Sequence, residues 1–573
     1  MAKTIMGKVR SNTQGKGKPT LGTYLFDCLR KEGVTEVFGV PGDYNFTLFD
    51  TLEEYEGIKA VPTRNELNGG YAADGYARVK GLAALITTFG VGELSAVNAI
   101  AGAYSENVPI VHIVGSPKSE KQKQHKLMHH TLMDGDYDAF RRVYEPISAY
   151  TAVLTPDNAM AEIPKAISIA KRLKKPVYLS VAIDLVQQPI SIKTPKPEMR
   201  KTNESSLKSA SKHARKMLKP AKKVVLLSDA KVKSWKWEPL VREVAEKLQI
   251  PAASTAMGKG GFDESHPNHI GMYGGAFGSQ KVREIVESAD CLIVAGFVPS
   301  DINLASETAN LNPKKMIIVQ PESVSVGGQE YTDILGADML RELAGLGLTG
   351  EQPIPGADRP YNSGTQLDGS LPLAAKDYYP LIQRLLQPGD IIVAETGTFA
   401  YGLGQTHLPQ GATYIAQGGW QSIGYATPAA LGACMAAPRR RVLLFTGDGS
   451  LQLTAQELSS MMEYGCKPIV FVLNNGGYTI EKYLNFRVPV EDQPYNEIPG
   501  WNYVKLVEAF GGGAYAQRVR TIGELARAFH DSELQRSDKL CLIEMMVPDD
   551  MDAPEYLKRM SEEMEKQESG GKK

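Results

Sequence analysis

An α/β fold with three doubly wound parallel-sheet domains is what this sequence predicts, and three observations lead to it. At 573 residues the chain is too long for one core, because single hydrophobic cores stop growing well below that length. Short apolar runs such as Val442–Phe445 and Ile469–Leu473 alternate with amphipathic stretches, as strands buried on both faces and joined by helices would. Several runs end in Gly-rich corners, where open α/β sheets place their ligands.

Bulk properties narrow the function. A formal net charge of -1 provides no basic field for nucleic acid or a membrane surface. The chain also lacks the roughly 18-residue apolar run that would span a bilayer. Five cysteines (Cys28, Cys291, Cys434, Cys466, Cys541) are scattered without disulfide or metal spacing, which fits reduced thiols and a cytoplasmic location. Residues 1–19 are basic and Gly-containing but have no apolar core, so they read as a disordered tail rather than a secretory signal.

The first domain is expected over 20–195. Thr20 caps a helix whose Leu21, Leu25, Cys28 and Leu29 share a face, and Gly33 ends it. A strand at Val34–Val40 runs into the turn Pro41-Gly42-Asp43-Tyr44-Asn45, placing Asp43 at a strand's carboxyl end. After a strand at Ile58–Pro62, a helix rich in small residues starts near Glu66. Strand Ala83–Thr88, a turn at Gly90-Val91-Gly92, helix Glu93–Tyr104 and strand Ile110–Val114 follow. The polar stretch 118–130 reads as a loop and contains His129 and His130. Adjacent histidines point apart on most backbones, so they seldom share one metal.

Lys-rich, Pro-containing text over 195–223 reads as a linker. The central α/β domain is assigned to 196–350, with strands near Val224–Leu227, Cys291–Ala295 and Met316–Val319, and residues 351–373 form a second linker. The third domain, 374–573, opens with strand Ile391–Ala394 and the corner Glu395-Thr396-Gly397-Thr398. Gly418–Ala426 leads into a small-residue helix. The tail after Asp552 is helical, with Leu557, Met560 and Met564 on one face. The first and third domains look like the same kind of unit.

Chemistry concentrates between Arg441 and Glu481, which reads as strand, Gly-rich turn, helix, strand and second Gly-rich turn. At Gly447-Asp448-Gly449-Ser450 the glycines allow close approach to a phosphate, and Ser450 can cap the helix or bond a phosphate oxygen. Asp448 would repel that phosphate unless a divalent cation lay between them. The corner Asn474-Asn475-Gly476-Gly477 adds a side-chain oxygen and a bare carbonyl, a low-charge oxygen set that suits Mg²⁺. Either corner alone reads as an ordinary turn. The pairing within one βαβ unit is far more specific.

That pairing resembles the metal-diphosphate motif of thiamine-diphosphate enzymes. Gly42–Asn45 (GDYN), Asn65–Leu67 (NEL), His129–Thr131 (HHT) and Gly477–Glu481 (GYTIE) extend the resemblance, over residues 20 to about 565, to the 2-oxo acid decarboxylases. These include the pyruvate, indolepyruvate and branched-chain 2-oxo acid decarboxylases. The resemblance implies thiamine diphosphate and Mg²⁺ as cofactors, with Asp448, Asn475 and the Gly477 carbonyl on the metal. It assigns Glu66 to the pyrimidine N1′ and Ile423 to a wedge beneath the cofactor. Thr396, Thr398, Gln421, Gly449, Ser450 and Tyr478 complete the cofactor set. Asp43, His129, His130 and Glu481 fall around the reacting carbon. Family precedent also implies a homodimer or homotetramer with sites at subunit interfaces.

Removing CO₂ from a 2-oxo acid leaves an acyl carbanion that no side chain stabilises, so the electron sink has to be a cofactor. Ala400 stands where some pyruvate-specific members carry a large aromatic residue. With Tyr401, Ile302, Ile480 and Leu484 as lining and Met560 and Met564 as a cover, the sequence predicts a preference for indolepyruvate, phenylpyruvate or branched-chain substrates. Pyruvate is the alternative. Met133, Gln421 and Asn303-Leu304-Ala305 depart from the usual residues of cofactor-adjacent loops. A carboligase resembling acetolactate synthase is disfavoured by the histidine pair and Glu481, and a non-catalytic scaffold by four ionisable groups around one pocket.

Overall fold

The computed structural model describes residues 19–191, 200–347, 352–361 and 367–570. The expected disordered tail falls almost wholly outside them. The first sheet contains β1 (Glu36–Gly39), β2 (Lys59–Pro62), β3 (Ala83–Thr88), β4 (Ile110–Ser116), β5 (Thr151–Leu154) and β6 (Val177–Ala182), ordered β2-β1-β3-β4-β6-β5 and parallel throughout. The strands β3, β4 and β6 are buried along their whole length, which explains their unbroken apolar runs.

The central sheet joins β7 (Val224–Ser228), β8 (Ala252–Thr255), β9 (His269–Tyr273), β10 (Cys291–Ala295), β11 (Met316–Val319), β12 (Ser323–Val326) and β13 (Gln329–Thr332). Their order is β13-β12-β11-β10-β7-β8-β9. This sheet is parallel except at one edge, where β12 runs antiparallel to both β11 and β13. Strands β12 and β13 are joined through Gly327 and Gly328, both at positive φ, and so tight a turn can connect only antiparallel neighbours.

The third sheet comprises β14 (Ile391–Ala394), β15 (Thr413–Ile415), β16 (Val442–Gly447), β17 (Ile469–Asn474), β18 (Tyr515–Val519) and β19 (Cys541–Met546). Its order, β15-β14-β16-β17-β19-β18, repeats the first sheet's topology strand for strand. All its pairs are parallel.

Two expectations change. Within the presumed linker 195–223, Glu204–Leu218 is a helix capped by Asn203, and it buries Leu207, Ala210, Ala214 and Leu218 against the central core. Lysines fill only its outer face, so its composition resembled a linker's. The helix expected over Glu93–Tyr104 is two pieces, Val91–Ser95 and Val97–Ser105. Glu93 instead caps the start of the first piece, accepting a bond from Gly90 N at 2.8 Å.

First and third domains meet through helices Glu66–Lys80 and Ala426–Ala436. Small residues bring the backbones together: a Cβ at Gly75 would lie 2.1 Å from the Ala429 carbonyl oxygen, and one at Gly432 would lie 1.9 Å from that of Ala72. A buried polar knot reinforces the contact. Asp74 accepts from Arg78 at 2.6 Å and from the Tyr425 hydroxyl at 2.5 Å, and Arg78 also donates to the Ala416 carbonyl at 3.1 Å.

Candidate active site

The corner after β16 builds as its residues dictate. Gly447 ends the strand, Asp448 opens a short helix to Thr454, and no side chain caps the helix start. Asp448 is buried. Its Oδ1 accepts from Gly449 N at 2.7 Å, and its Oδ2 accepts from Asn475 N at 3.0 Å and Gly476 N at 2.7 Å. One carboxylate therefore ties both Gly-rich corners together. Burial pushes its pKa up despite these donors, so the cavity it faces favours a compensating cation. Asn475 donates its amide NH₂ to the Thr479 hydroxyl, which keeps its carbonyl oxygen as the group that can serve a cation.

Around these corners lies a cavity of about 230 Å³ lined by Thr396, Thr398, Ile423, Asp448, Gly449, Ser450, Asn475, Gly477, Tyr478, Ile480 and Glu481. The residue set fits a metal-bound diphosphate. Buried Thr396 Oγ1 has no protein partner, and a Cβ at Gly449 would meet the Tyr478 ring at 2.4 Å. Ile423 sits on a loop fixed from the first domain. Ser422 Oγ lies 2.7 Å from the Tyr71 hydroxyl and 3.2 Å from Asn98 Nδ2.

Sequence reasoning gave no role to Glu395, a buried carboxyl on the same cavity wall. It accepts from Ala426 N at 3.1 Å and from Thr396 N at 3.2 Å, and so links the Ile423 loop to the β14 corner. Burial outweighs these donors and raises its pKa to about 8. The unfolded carboxyl, near 4.5, loses its proton first, so this group's stabilisation is complete below pH 4.5 and is lost as pH rises towards 8. Glu395→Gln should flatten the fall of Tm across that window in thermal melts at stepped pH. A slope equal to the parent's would show that Glu395 is ionised throughout.

A second cavity, about 60 Å³, adjoins the first through Thr396 and Gly397. Ala256, Met272, Ile302, Ala400, Tyr401, Gln421 and Tyr556 are on its wall. Leu484, Met560 and Met564 line neither cavity. Leu484 is exposed, and the two methionines pack behind the wall, in one cluster with Tyr556, Tyr401, Met272 and Ile480. On the C-terminal helix Glu555–Gly570 the face that reaches the cavity is that of Tyr556, whose ring stacks on Tyr401 at 5.7 Å. The Leu557, Met560 and Met564 stripe marks the helix's packing face, and that stripe is all the sequence signalled.

The first-domain groups form their own set. His129 Nε2 lies 2.5 Å from Asp43 Oδ2, and His130 Nδ1 lies 3.7 Å from Asp43 Oδ1. Tyr44 stacks on the His129 ring at 4.9 Å, with its hydroxyl 3.2 Å from Nδ1. The adjacent histidines thus converge on one carboxylate, although neighbours in sequence point apart on most backbones. A left-handed φ of 61° at His130 turns its ring back, and Gly90 makes room, since a Cβ there would meet the His130 carbonyl oxygen at 1.9 Å. Glu66 opens its helix behind the N-cap Asn65, and burial raises its pKa. None of these four residues lines the Asp448 cavity.

Comparison with known proteins agrees with this architecture. Residues 19–136, 211–337 and 395–545 match, respectively, the N-terminal TPP binding domain, the central domain and the C-terminal TPP binding domain of the thiamine pyrophosphate enzymes. A pyruvate decarboxylase of Candida glabrata is 39% identical over 556 residues, covering 94% of this chain and 97% of that protein. Pyruvate decarboxylase isozyme 1 of Saccharomyces cerevisiae is 39% identical, with coverages of 94% and 97%. An Aspergillus fumigatus pyruvate decarboxylase is 40% identical, with 94% and 96%. In fold, the chain is similar to a thiamine diphosphate-dependent 4-hydroxybenzoylformate decarboxylase of Rhodococcus jostii RHA1, with a TM-score of 0.76 and 20% identity over 93% of this chain and 100% of that one. With its three domains matched and relatives aligned nearly end to end, the chain belongs to the thiamine-diphosphate-dependent 2-oxo acid decarboxylases.

Proposed function

We propose that this enzyme decarboxylates short 2-oxo acids, pyruvate first, to the aldehyde and CO₂. The observation that carries this reading is whole-length similarity to pyruvate decarboxylases, seen across several fungi. The acyl cavity opens onto the cofactor cavity through Thr396 and Gly397, so a small acyl group in it would lie beside the cofactor site. Ala400, on that cavity wall, is the one observation favouring bulky apolar substrates, which the sequence alone put first.

Thiamine diphosphate supplies the electron sink for the carbon that loses CO₂. Asp448, Asn475 and the Gly477 carbonyl would hold Mg²⁺, with Thr396, Thr398, Gly449, Ser450 and Tyr478 around the diphosphate. Ile423 would support the cofactor from below, and Glu66 would exchange a proton with its pyrimidine ring. Asp43, His129, His130 and Glu481 would hold or deliver protons at the reacting carbon. Within one chain Asp43, Glu66, His129 and His130 line neither cavity, whereas Glu481 is on the wall of the Asp448 cavity. The faces that carry them expose Val91, Leu94, Leu127, Leu132 and Met133 in the first domain and Leu453 in the third. Each site would therefore combine the first domain of one subunit with the third domain of another in a homodimer or homotetramer. Among the described residues no helix is long and apolar enough to cross a membrane, and we place the enzyme in the cytoplasm.

A panel of 2-oxo acids assayed with thiamine diphosphate and Mg²⁺ tests the reading. Pyruvate should give the highest kcat/KM, a chelator should abolish turnover, and Asp448→Ala should lose at least ~100-fold with the fold intact. A higher kcat/KM for phenylpyruvate than for pyruvate would restore the bulky-substrate preference.

A further inference from the structure

We propose that Asp43, His129 and His130 form a second metal site, a three-ligand site for Zn²⁺ and related nitrogen-seeking divalent cations, and that filling it stops turnover. The site is distinct from the Asp448 corner. Only the effect on turnover rests on the decarboxylase reading, because binding needs nothing beyond the three side chains.

Tyr44 sets the tautomer of His129. Its hydroxyl donates to the His129 carbonyl oxygen at 3.3 Å and lies 3.2 Å from Nδ1 of the same residue, so it accepts there from Nδ1–H. Nε2 is then a bare lone pair, 2.5 Å from the Asp43 carboxylate oxygen Oδ2. Two acceptors so close need a cation between them. A proton fills that place, and so can a metal ion. His130 brings a second nitrogen: its Nδ1 lies 3.7 Å from Asp43 Oδ1 and has no hydrogen-bond partner among the described residues. The left-handed turn at His130, φ 61°, aims both rings at one carboxylate and lifts the usual bar on adjacent histidines sharing an ion.

Ligand type and spacing select the ion. Bonds to zinc of about 2.0–2.2 Å at tetrahedral angles set ligand atoms about 3.3 Å apart. The 2.5 and 3.7 Å separations found here lie on either side of that value. A ligand atom from each of the three residues lies within 4.8 Å of the other two. Small rotations of Asp43 and His129, whose side chains are 40% and 55% exposed, even the spacing. Two imidazoles and one carboxylate suit Zn²⁺, Co²⁺ or Ni²⁺, whereas Mg²⁺ prefers the all-oxygen set of Asp448, Asn475 and the Gly477 carbonyl. The bond from His129 Nδ1 to Tyr44 orients the ring as the outer partner of a metal-bound histidine does. With the ion in place of the shared proton, Asp43, His129 and His130 no longer hold or deliver protons at the reacting carbon.

The test adds Zn²⁺ to the holoenzyme at saturating Mg²⁺ and reads bound zinc by equilibrium dialysis alongside turnover, with Co²⁺ as a spectroscopic probe of the same site. One zinc per subunit should bind and turnover should fall in step, without relief by further Mg²⁺. Co²⁺ should show the intense visible absorption of a tetrahedral, nitrogen-bound ion. That absorption should persist in Asp448→Ala, which removes a ligand of the oxygen site, and vanish in both His129→Gln and His130→Gln. Tyr44→Phe should weaken zinc binding by ~10-fold. Circular dichroism establishes that each variant is folded. No bound zinc, absorption unchanged in His130→Gln, or absorption lost in folded Asp448→Ala would each overturn the site. Zinc bound at full turnover would overturn the inhibition and remove the three residues from the proton steps. The decarboxylase reading fails separately, on the zinc-free panel of 2-oxo acids.

Discussion

Glu66→Gln removes decarboxylase activity, with kcat falling by about 10²–10⁴-fold, the range that a positioned proton-transfer group contributes. Glu66 stands at the first position of its helix, and a Cβ on Gly92 would lie 3.1 Å from its Oε1. Burial holds the pKa of the half-buried carboxyl up, against the opposing pull of a backbone hydrogen bond. Glutamine keeps the shape and the hydrogen-bonding reach but cannot exchange a proton. Steady-state rates, together with cofactor titration by circular dichroism, check this result. Cofactor affinity should survive in part while turnover does not, and unchanged turnover would remove Glu66 from the chemistry.

The second large effect is structural. Gly432→Ala sets a methyl 1.9 Å from the Ala72 carbonyl oxygen and 2.7 Å from Tyr76 N, and neither backbone atom can turn aside as a side chain would. The two helices must separate, opening the Asp74–Arg78–Tyr425 knot. Overpacking of this kind costs about 1–3 kcal/mol or more, and Tm should fall by about 3–10 °C. Gly513→Ala, with nothing within 4 Å of the added carbon, is the control and should leave Tm unchanged.

Much of this was legible beforehand, for physical reasons that differ from residue to residue. Strands such as Ala83–Thr88 and Cys291–Ala295 are buried on both faces, so their apolar runs mark their ends. Edge strands lack that signal. In Tyr515–Val519 only Val519 is fully buried, and its neighbours Gln517 and Arg518 are ordinary surface types. The Asp448 and Asn475 corners could be read because their spacing is local to one βαβ unit. Tyr556 and Gln421 could not be placed in the acyl cavity, since their neighbours Tyr401 and Ala256 come from distant segments. The convergence of His129 and His130 on Asp43 depends on one left-handed residue that sequence periodicity does not register.

The close apposition of helices Glu66–Lys80 and Ala426–Ala436 also constrains how the enzyme can move. With main-chain oxygens seated against glycines on both sides, neither helix can slide by a turn or roll, so the first and third domains of a subunit travel as one rigid body. Hinge closure between them is barred, which leaves peripheral segments, such as the 124–136 stretch with the histidine pair and the C-terminal helix carrying Tyr556, as the parts of a subunit that can open.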